Sequence, residues 1–137
     1  RLYMANRRWV NNWDLVDASA PTIVGGFLSE ADVRPLERLA RSPRLWDRRI
    51  AIVATWSWIR RGVLEPTTRL AKQLLTDEED LIHKAAGWML REVGKRDTAV
   101  LEAFLVAHHK TMPRTMLRYA IERLPSEKRV RYLRRTG

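Results

Sequence analysis

The sequence contains no cysteine in its 137 residues. This absence excludes disulfides, thiolate zinc fingers and cysteine nucleophiles, and it fits a protein of the cytosol. Long apolar runs are also missing: no segment approaches the roughly 18 apolar residues of a membrane span, and no signal peptide or lipidation motif is visible. Strand signals are nearly absent, since no alternating runs of valine, isoleucine or threonine lie between tight turns. The chain is therefore predicted to be all-α, with no membrane partner.

Histidine is scarce as well. His83, His108 and His109 do not form a metal-ligand pattern with other side chains, so neither a metal site nor a cofactor is predicted. No glycine-rich phosphate loop, Ser-His-Asp set or paired-carboxylate motif is present. The enzyme classes that depend on these motifs do not describe this chain.

What the sequence has in excess is positive charge. Lysine and arginine number 26 against 16 aspartates and glutamates, giving a formal net charge of +10. Such a field attracts polyanions, of which nucleic acid is the commonest. The length and the 45% hydrophobic content indicate a single folded domain over residues 1–137. We expect a monomer that binds nucleic acid.

Capping and breaking residues divide the chain into helices. A glycine at Gly62 and another at Gly94 are predicted to end helices, Thr76 with Glu79 forms a predicted capping box, and Asp97 is a predicted N-cap. The predicted helices cover residues 1–20, 29–41 (capped by Ser29), 42–61, 65–75, 76–94, 97–109, 113–124 and a last one from Ser126.

The longer helices recur about every 30 to 40 residues, each preceded by a shorter one, which is the spacing of HEAT-like repeats. They are centred on Trp13, Arg49, Trp88 and Met116. Such repeats stack into a curved solenoid whose concave face is built from one helix per repeat. The predicted face would carry cations and indoles in three groups: Arg49 with Trp56, Lys84 with Trp88 and Arg91, and Arg114 with Arg118. These cations either neutralise phosphates or are solvated charges.

The first predicted helix places Trp9, Trp13 and Asp17 at i, i+4 and i+8, on one stripe. One interpretation assigns the indoles to the core and leaves Asp17 as a solvated charge. The other follows from electrostatics, because a lone carboxylate in a polyanion-binding groove repels phosphate unless it meets positive charge. Purines alkylated at N3 or N7 are cationic, and their glycosidic bonds break through an oxocarbenium-like sugar. A carboxylate near C1′ would stabilise that charge or position the attacking water.

Four blocks carry a resemblance to a known family. They are WVNNWDLVD (9–17), LWDRRIA (45–51), KAAGWMLRE (84–92) and MPRTMLRYAIE (112–122). Together they resemble the core of the AlkD-type DNA alkylation repair glycosylases. The resemblance implies a HEAT-like solenoid that removes 3-methyladenine and 7-methylguanine from duplex DNA while the lesion stays stacked, unlike glycosylases that flip the base.

The resemblance also implies roles for individual residues. Trp13 and Trp88 match aromatics that contact the deoxyribose, Asp17 matches the catalytic carboxylate, and Arg49 matches an arginine on the DNA backbone. Arg48 points about 100° away round the same helix and is the lesser candidate. Lys84, Arg91, Arg114 and Arg118 are further candidate DNA contacts, whereas Trp9 is expected to support Trp13, and Trp46, Trp56 and Trp58 to pack.

Two functions from different classes follow. The first is an alkylpurine DNA glycosylase of base excision repair, acting on alkylated duplex DNA in the bacterial cytosol or nucleoid. The second is a non-catalytic HEAT-like module that binds DNA or protein. Members of the family are longer, with helices before the first motif, so we expect the chain to be the C-terminal part of a longer protein.

Overall fold

The computed structural model describes residues 33–134, and within them every regular element is a helix. The predicted all-α class is confirmed for this range. The helices are α1 (Arg34–Ala40), α2 (Leu45–Ala54), α3 (Trp56–Ile59), α4 (Glu65–Gln73), α5 (Asp80–Arg96), α6 (Thr98–His108), α7 (Arg114–Ala120) and α8 (Ser126–Arg134). The predicted helix over residues 1–20 and the predicted cap Ser29 lie outside the described residues.

The helices form two layers. In the first, α2 and α3 lie beside α5, and α5 lies beside α7. In the second, α1 contacts α4, α4 and α6 share a cavity wall, and α6 is joined to α8 by a 2.6 Å ion pair between Glu102 and Lys128. Within each layer the helices follow one another in chain order, and this arrangement agrees with the predicted helical-repeat solenoid.

The predicted helix over residues 42–61 is broken at Thr55. The Thr55 hydroxyl donates to the carbonyl of Ile52 at 2.7 Å, and this local side-chain bond competes with the helical ladder. The prediction of one continuous helix over residues 42–61 was wrong, because α2 ends at Ala54 and α3 begins at Trp56.

The predicted C-terminal role of Gly62 is confirmed. Gly62 has φ 83°, a left-handed conformation that costs glycine little. Its N–H donates to the Ile59 carbonyl and the Val63 N–H to the Trp58 carbonyl, both at 2.9 Å. This pair of bonds is a Schellman motif, so the chain turns sharply after α3.

Two predicted boundaries of α5 were wrong. Thr76 lies in a 3₁₀ turn over Leu74–Thr76 and makes no capping bond. The N-cap residue of α5 is Glu79, without a side-chain cap, and the Glu79 N–H donates to Asp77 Oδ1 at 2.9 Å. At the other end α5 continues past Gly94 to Arg96. Gly94 faces α6, where an added Cβ would lie 2.5 Å from a Leu101 methyl.

Asp97 caps α6 as predicted. Its Oδ1 accepts from the Ala99 N–H at 3.0 Å, which satisfies one of the unpaired donors of the first turn. The turn between α5 and α6 is therefore short and fixed.

Helix α5 is the centre of the described fold, since it touches α2, α3, α4, α6 and α7. Ala85, Ala86 and Gly87 are buried on it. A Cβ at Gly87 would meet the Tyr119 Cβ at 2.5 Å and the Met116 carbonyl oxygen at 2.6 Å. Glycine at this position therefore permits the close approach of α5 and α7. Across residues 33–134, no helix combines the length and the apolar character that crossing a bilayer requires.

Candidate nucleic-acid interface

Arg49 is fixed at the junction of α2 and α5. Only 4% of the residue is exposed, and its Nη1 donates to the Leu81 carbonyl in the first turn of α5 at 2.9 Å. The carbonyls at a helix N-terminus already accept helical bonds, so this donor takes a second lone pair of Leu81. The guanidinium is thus held against α5 and projects little into solvent.

Arg48 points to a different partner. Its Nε lies 2.7 Å from Asp77 Oδ2, and its Nη1 donates to the carbonyls of Ser42 and Pro43, both at 3.1 Å. It therefore ties the loop before α2 to the segment before α5. These contacts serve the fold, and the assignment of Arg48 to DNA stays a prediction.

Trp88 lies on α5, partly buried against the core. Its ring meets that of Trp56 on α3 edge-to-face, with centroids 5.2 Å apart and planes at 64°. The guanidinium carbon of Arg60 lies 5.6 Å from the Trp56 ring centroid. The sequence predicted Trp56 on the same face as Arg49, seven residues earlier, and as a packing residue, and its contacts with the core and with Trp88 confirm the packing.

Lys84 stands one turn before Trp88 on the same side of α5. Its Nζ lies 3.2 Å from Asp80 Oδ2, and 42% of its side chain is exposed. The hydrogen bond from Lys84 lowers the pKa of the Asp80 carboxyl, and a bond from Thr115 on α7 lowers it further. Lys84 is accordingly an exposed cation with a weak local partner.

Arg91 lies on the other side of Trp88 along the same stripe. Its Nη1 donates to Glu122 at 2.8 Å. Its buried Nε has no hydrogen-bond partner among residues 33–134 and lies 3.9 Å from Glu92 Oε2. Because Glu122 is largely exposed, a phosphate group can compete with it for Arg91. Arg91 can therefore bind a phosphate group only by exchanging Glu122 for it.

The two arginines of α7 differ in their contacts. Arg114 Nη1 donates to the Leu133 carbonyl at 2.7 Å, which satisfies an acceptor in the last turn of α8. Arg118 is exposed, and within residues 33–134 it makes neither a hydrogen bond nor an ion pair. Arg118 is therefore the predicted phosphate contact whose charge is most accessible.

The spacing along α5 brings these groups to one side of the helix. Leu81, Lys84, Trp88 and Arg91 are separated by three, four and three residues, so they share one stripe. Leu81, whose carbonyl binds Arg49, lies seven residues before Trp88 on α5, which corresponds to a rise of about 10 Å along the helix axis. Arg49 therefore binds α5 two turns before Trp88, whereas Trp13 and Asp17 lie outside the described residues, and the predicted convergence of the four residues stays a prediction.

The histidines have contacts within the fold. The His109 Nδ1 is 2.7 Å from the Leu105 carbonyl oxygen, and the His83 ring contacts the Asp77 carbonyl. Burial lowers the pKa of His108, and the charge of Lys72 lowers it further. In the part of the chain that the structure describes, no three histidines, aspartates or glutamates converge on a metal position.

Comparison with known proteins gives one match. The family model described as "DNA alkylation repair enzyme" matches residues 1–124. This span includes the stripe on α5, both arginines of α7 and the predicted first helix. The comparisons with curated proteins and with solved structures give no match.

Proposed function

The chain belongs to the DNA alkylation repair enzyme family, and from this premise we propose that it is a DNA glycosylase. It would hydrolyse the N-glycosidic bond of cationic purines, 3-methyladenine and 7-methylguanine, in duplex DNA. The observation that carries the proposal is that α5 bears Trp88 at its margin with the core and binds Arg49 two turns earlier, at the Leu81 carbonyl, in a chain with a net charge of +10. An indole beside cations suits a sugar flanked by phosphates.

The reaction needs one carboxylate. A cationic purine leaves as a neutral base when the glycosidic bond breaks, and the bonding electron pair goes to the purine nitrogen. The positive charge that develops on the deoxyribose is stabilised by the Asp17 carboxylate, and water adds to C1′ and gives up a proton. No separate general acid is required, because the leaving group already carries positive charge.

The other residues bind and orient the nucleotide. Trp13 and Trp88 pack on the deoxyribose of the lesion, and Arg49 contributes positive potential toward the neighbouring backbone. Because Arg49 is buried, its charge is screened less by salt than that of an exposed arginine. Lys84, Arg91 and Arg118 neutralise phosphates farther along the strands.

The experiment is release of 7-methylguanine from methylated duplex DNA under single-turnover conditions. Asp17→Asn keeps the size of the side chain and removes its charge, so we expect excision to fall by about 100-fold or more, as for loss of a group that stabilises transition-state charge. The matched control is Asp14→Asn, which removes a carboxylate from the same stretch and should excise at the wild-type rate.

Two results oppose the proposal in different ways. Equal excision by the wild type and Asp17→Asn rules out the assigned carboxylate while retaining glycosylase activity. Absence of base release at any concentration of wild-type protein, together with binding to duplex DNA, favours the non-catalytic HEAT-like module.

A further inference from the structure

The pair Trp56 and Trp88 joins α3 to α5 through their indoles. Their rings meet edge-to-face at 5.2 Å, a geometry that aligns the positive edge of one aromatic ring with the negative face of the other. Both rings are only partly buried and pack against the core from its margin. The contact therefore lies at the margin of the core, between α3 and α5.

Trp56 is held more firmly than its partner. Thr55, directly before it, is fully buried and bonded to Ile52, and the Schellman motif at Gly62 closes the segment after it. The Arg60 guanidinium covers the Trp56 ring, and the Arg60 carbonyl accepts a bond from Arg96 Nη2 at the end of α5. Trp56 thus sits on one turn of helix that is fixed at both ends.

Among residues 33–134, the restraints on the Trp88 indole are its packing on the core and its contact with Trp56. It stands in the middle of α5, with Lys84 and Arg91 beside it on the same stripe, and both of these are long, flexible side chains engaged with exposed carboxylates. The second side-chain torsion of a tryptophan is broad. Within the described residues, the aromatic ring that restrains the plane of the Trp88 indole is that of Trp56.

We propose that Trp56 is a positioning residue that fixes the plane of the Trp88 indole for contact with the substrate deoxyribose. The inference rests on the proposed glycosylase function and deepens it, since Trp56 acts only through Trp88. A group that must meet a transition state needs its orientation locked by the residues behind it. The rigid turn of α3 holds Trp56, and the edge-to-face contact of Trp56 then restrains the orientation of the Trp88 indole.

Trp58 provides the contrast that separates positioning from packing. It lies two residues from Trp56 but is fully buried, and its indole Nε1 has no hydrogen-bond partner in the described part of the chain. Substitution of Trp58 acts on stability alone, whereas substitution of Trp56 acts on excision.

The test is a double-mutant cycle between positions 56 and 88, with Trp58→Phe as the control. Trp56→Leu is expected to lower the single-turnover excision rate about two- to tenfold, the range that the edge-to-face contact supports, and Trp56→Phe should restore most of it. In a Trp88→Ala background, Trp56→Leu should change the rate less than twofold. Thermal unfolding identifies any variant that fails to fold. If Trp56→Leu does not fold, Trp56→Phe replaces it in the cycle.

Additive losses from the two positions would overturn the proposal, because they would show that Trp56 does not act through Trp88. Failure of the proposed function is a separate result, namely no excision by the wild type. In that case the same cycle is measured in the dissociation constant for methylated duplex DNA. Coupled effects on binding then support a positioning role, and additive effects reject it.

Discussion

The Nε of Arg48 lies 2.7 Å from the Oδ2 of Asp77, 29 residues away along the chain. The two side chains are 15% and 7% exposed, so the pair is shielded from solvent more than an ordinary surface ion pair. Asp77 also accepts the Glu79 N–H. One carboxylate therefore links the start of α2 to the start of α5, next to the point where Arg49 is anchored.

Asp77→Ala is expected to destabilise the protein by about 2–4 kcal/mol, because it leaves the shielded Arg48 without a carboxylate partner and removes the acceptor of the Glu79 N–H. Urea denaturation measures the change. The control is Glu65→Ala, which breaks a pair with Arg69 whose side chains are 53% and 68% exposed; that change should stay within about 0.5 kcal/mol. Equal effects of the two substitutions would contradict the structural role of Asp77.

Gly87→Ala is expected to cost about 1–3 kcal/mol, the range for overpacking. The new methyl would meet the Met116 carbonyl oxygen, which belongs to a helix backbone and cannot move without displacing α7. The matched control is Gly94→Ala, where the obstacle is the end of the Leu101 side chain and the helix propensity of alanine gains about 1 kcal/mol. Denaturation midpoints compare the two variants, and a Gly87→Ala protein as stable as Gly94→Ala would contradict the close packing.

Acidification should weaken the contact between α6 and α8. The hydrogen bond from Lys128 is the main cause that holds the pKa of Glu102 below its usual range, and the bond from the Tyr132 hydroxyl also lowers it. Because the folded pKa is depressed, the stabilisation is complete above the ordinary glutamate pKa of about 4.3 and is lost as pH falls through the folded value. Glu102→Gln should therefore lose less stability than the wild type on acidification below this point.

The measurement is the unfolding midpoint between pH 7 and pH 3. Lys128→Met removes the main cause of the lowered Glu102 pKa, so its unfolding midpoint should also fall less steeply at low pH. Lys110→Met, at an exposed position, should show the same pH dependence as the wild type. If the unfolding midpoint of Glu102→Gln fell as steeply at low pH as that of the wild type, other groups would govern the loss of stability.

Arg118→Ala is expected to weaken binding to undamaged duplex DNA and to reduce the slope of log K against log salt by about 0.9, the contribution of one phosphate contact. The reason is that the charge of Arg118 is exposed and not engaged within residues 33–134. Arg69→Ala, on α4 in the second layer, removes an equal charge elsewhere and serves as the control. Fluorescence anisotropy at several salt concentrations measures both, and equal slopes for the two variants would place DNA on another surface.

The fold class was accessible from the sequence because helix signals are local. The cap at Asp97 and the glycine at Gly62 act on their own neighbours, and both were predicted correctly. Gly94 and Thr55 were misjudged because their behaviour depends on contacts that a local pattern does not contain. Gly94 stays helical since it packs on Leu101, and Thr55 interrupts a helix that apolar periodicity had shown as continuous.

The candidate site was accessible only in part. Residue spacing placed Lys84, Trp88 and Arg91 on one stripe, and the resemblance selected Trp88 and Arg49. The pairing of Arg91 with Glu122 spans 31 residues and the anchoring of Arg49 on Leu81 spans 32. Such contacts depend on how the helices stack, which single-sequence periodicity does not specify.

The absence of a side chain at Gly87 sets the distance between α5, which carries Lys84 and Arg91, and α7, which carries Arg118. A methyl group at position 87 would push the two helices, and the cations on them, apart, while the phosphates of a duplex keep their own fixed interval. On the proposed function, the fit between protein and DNA backbone is thus tuned at a residue that touches neither the lesion nor a phosphate.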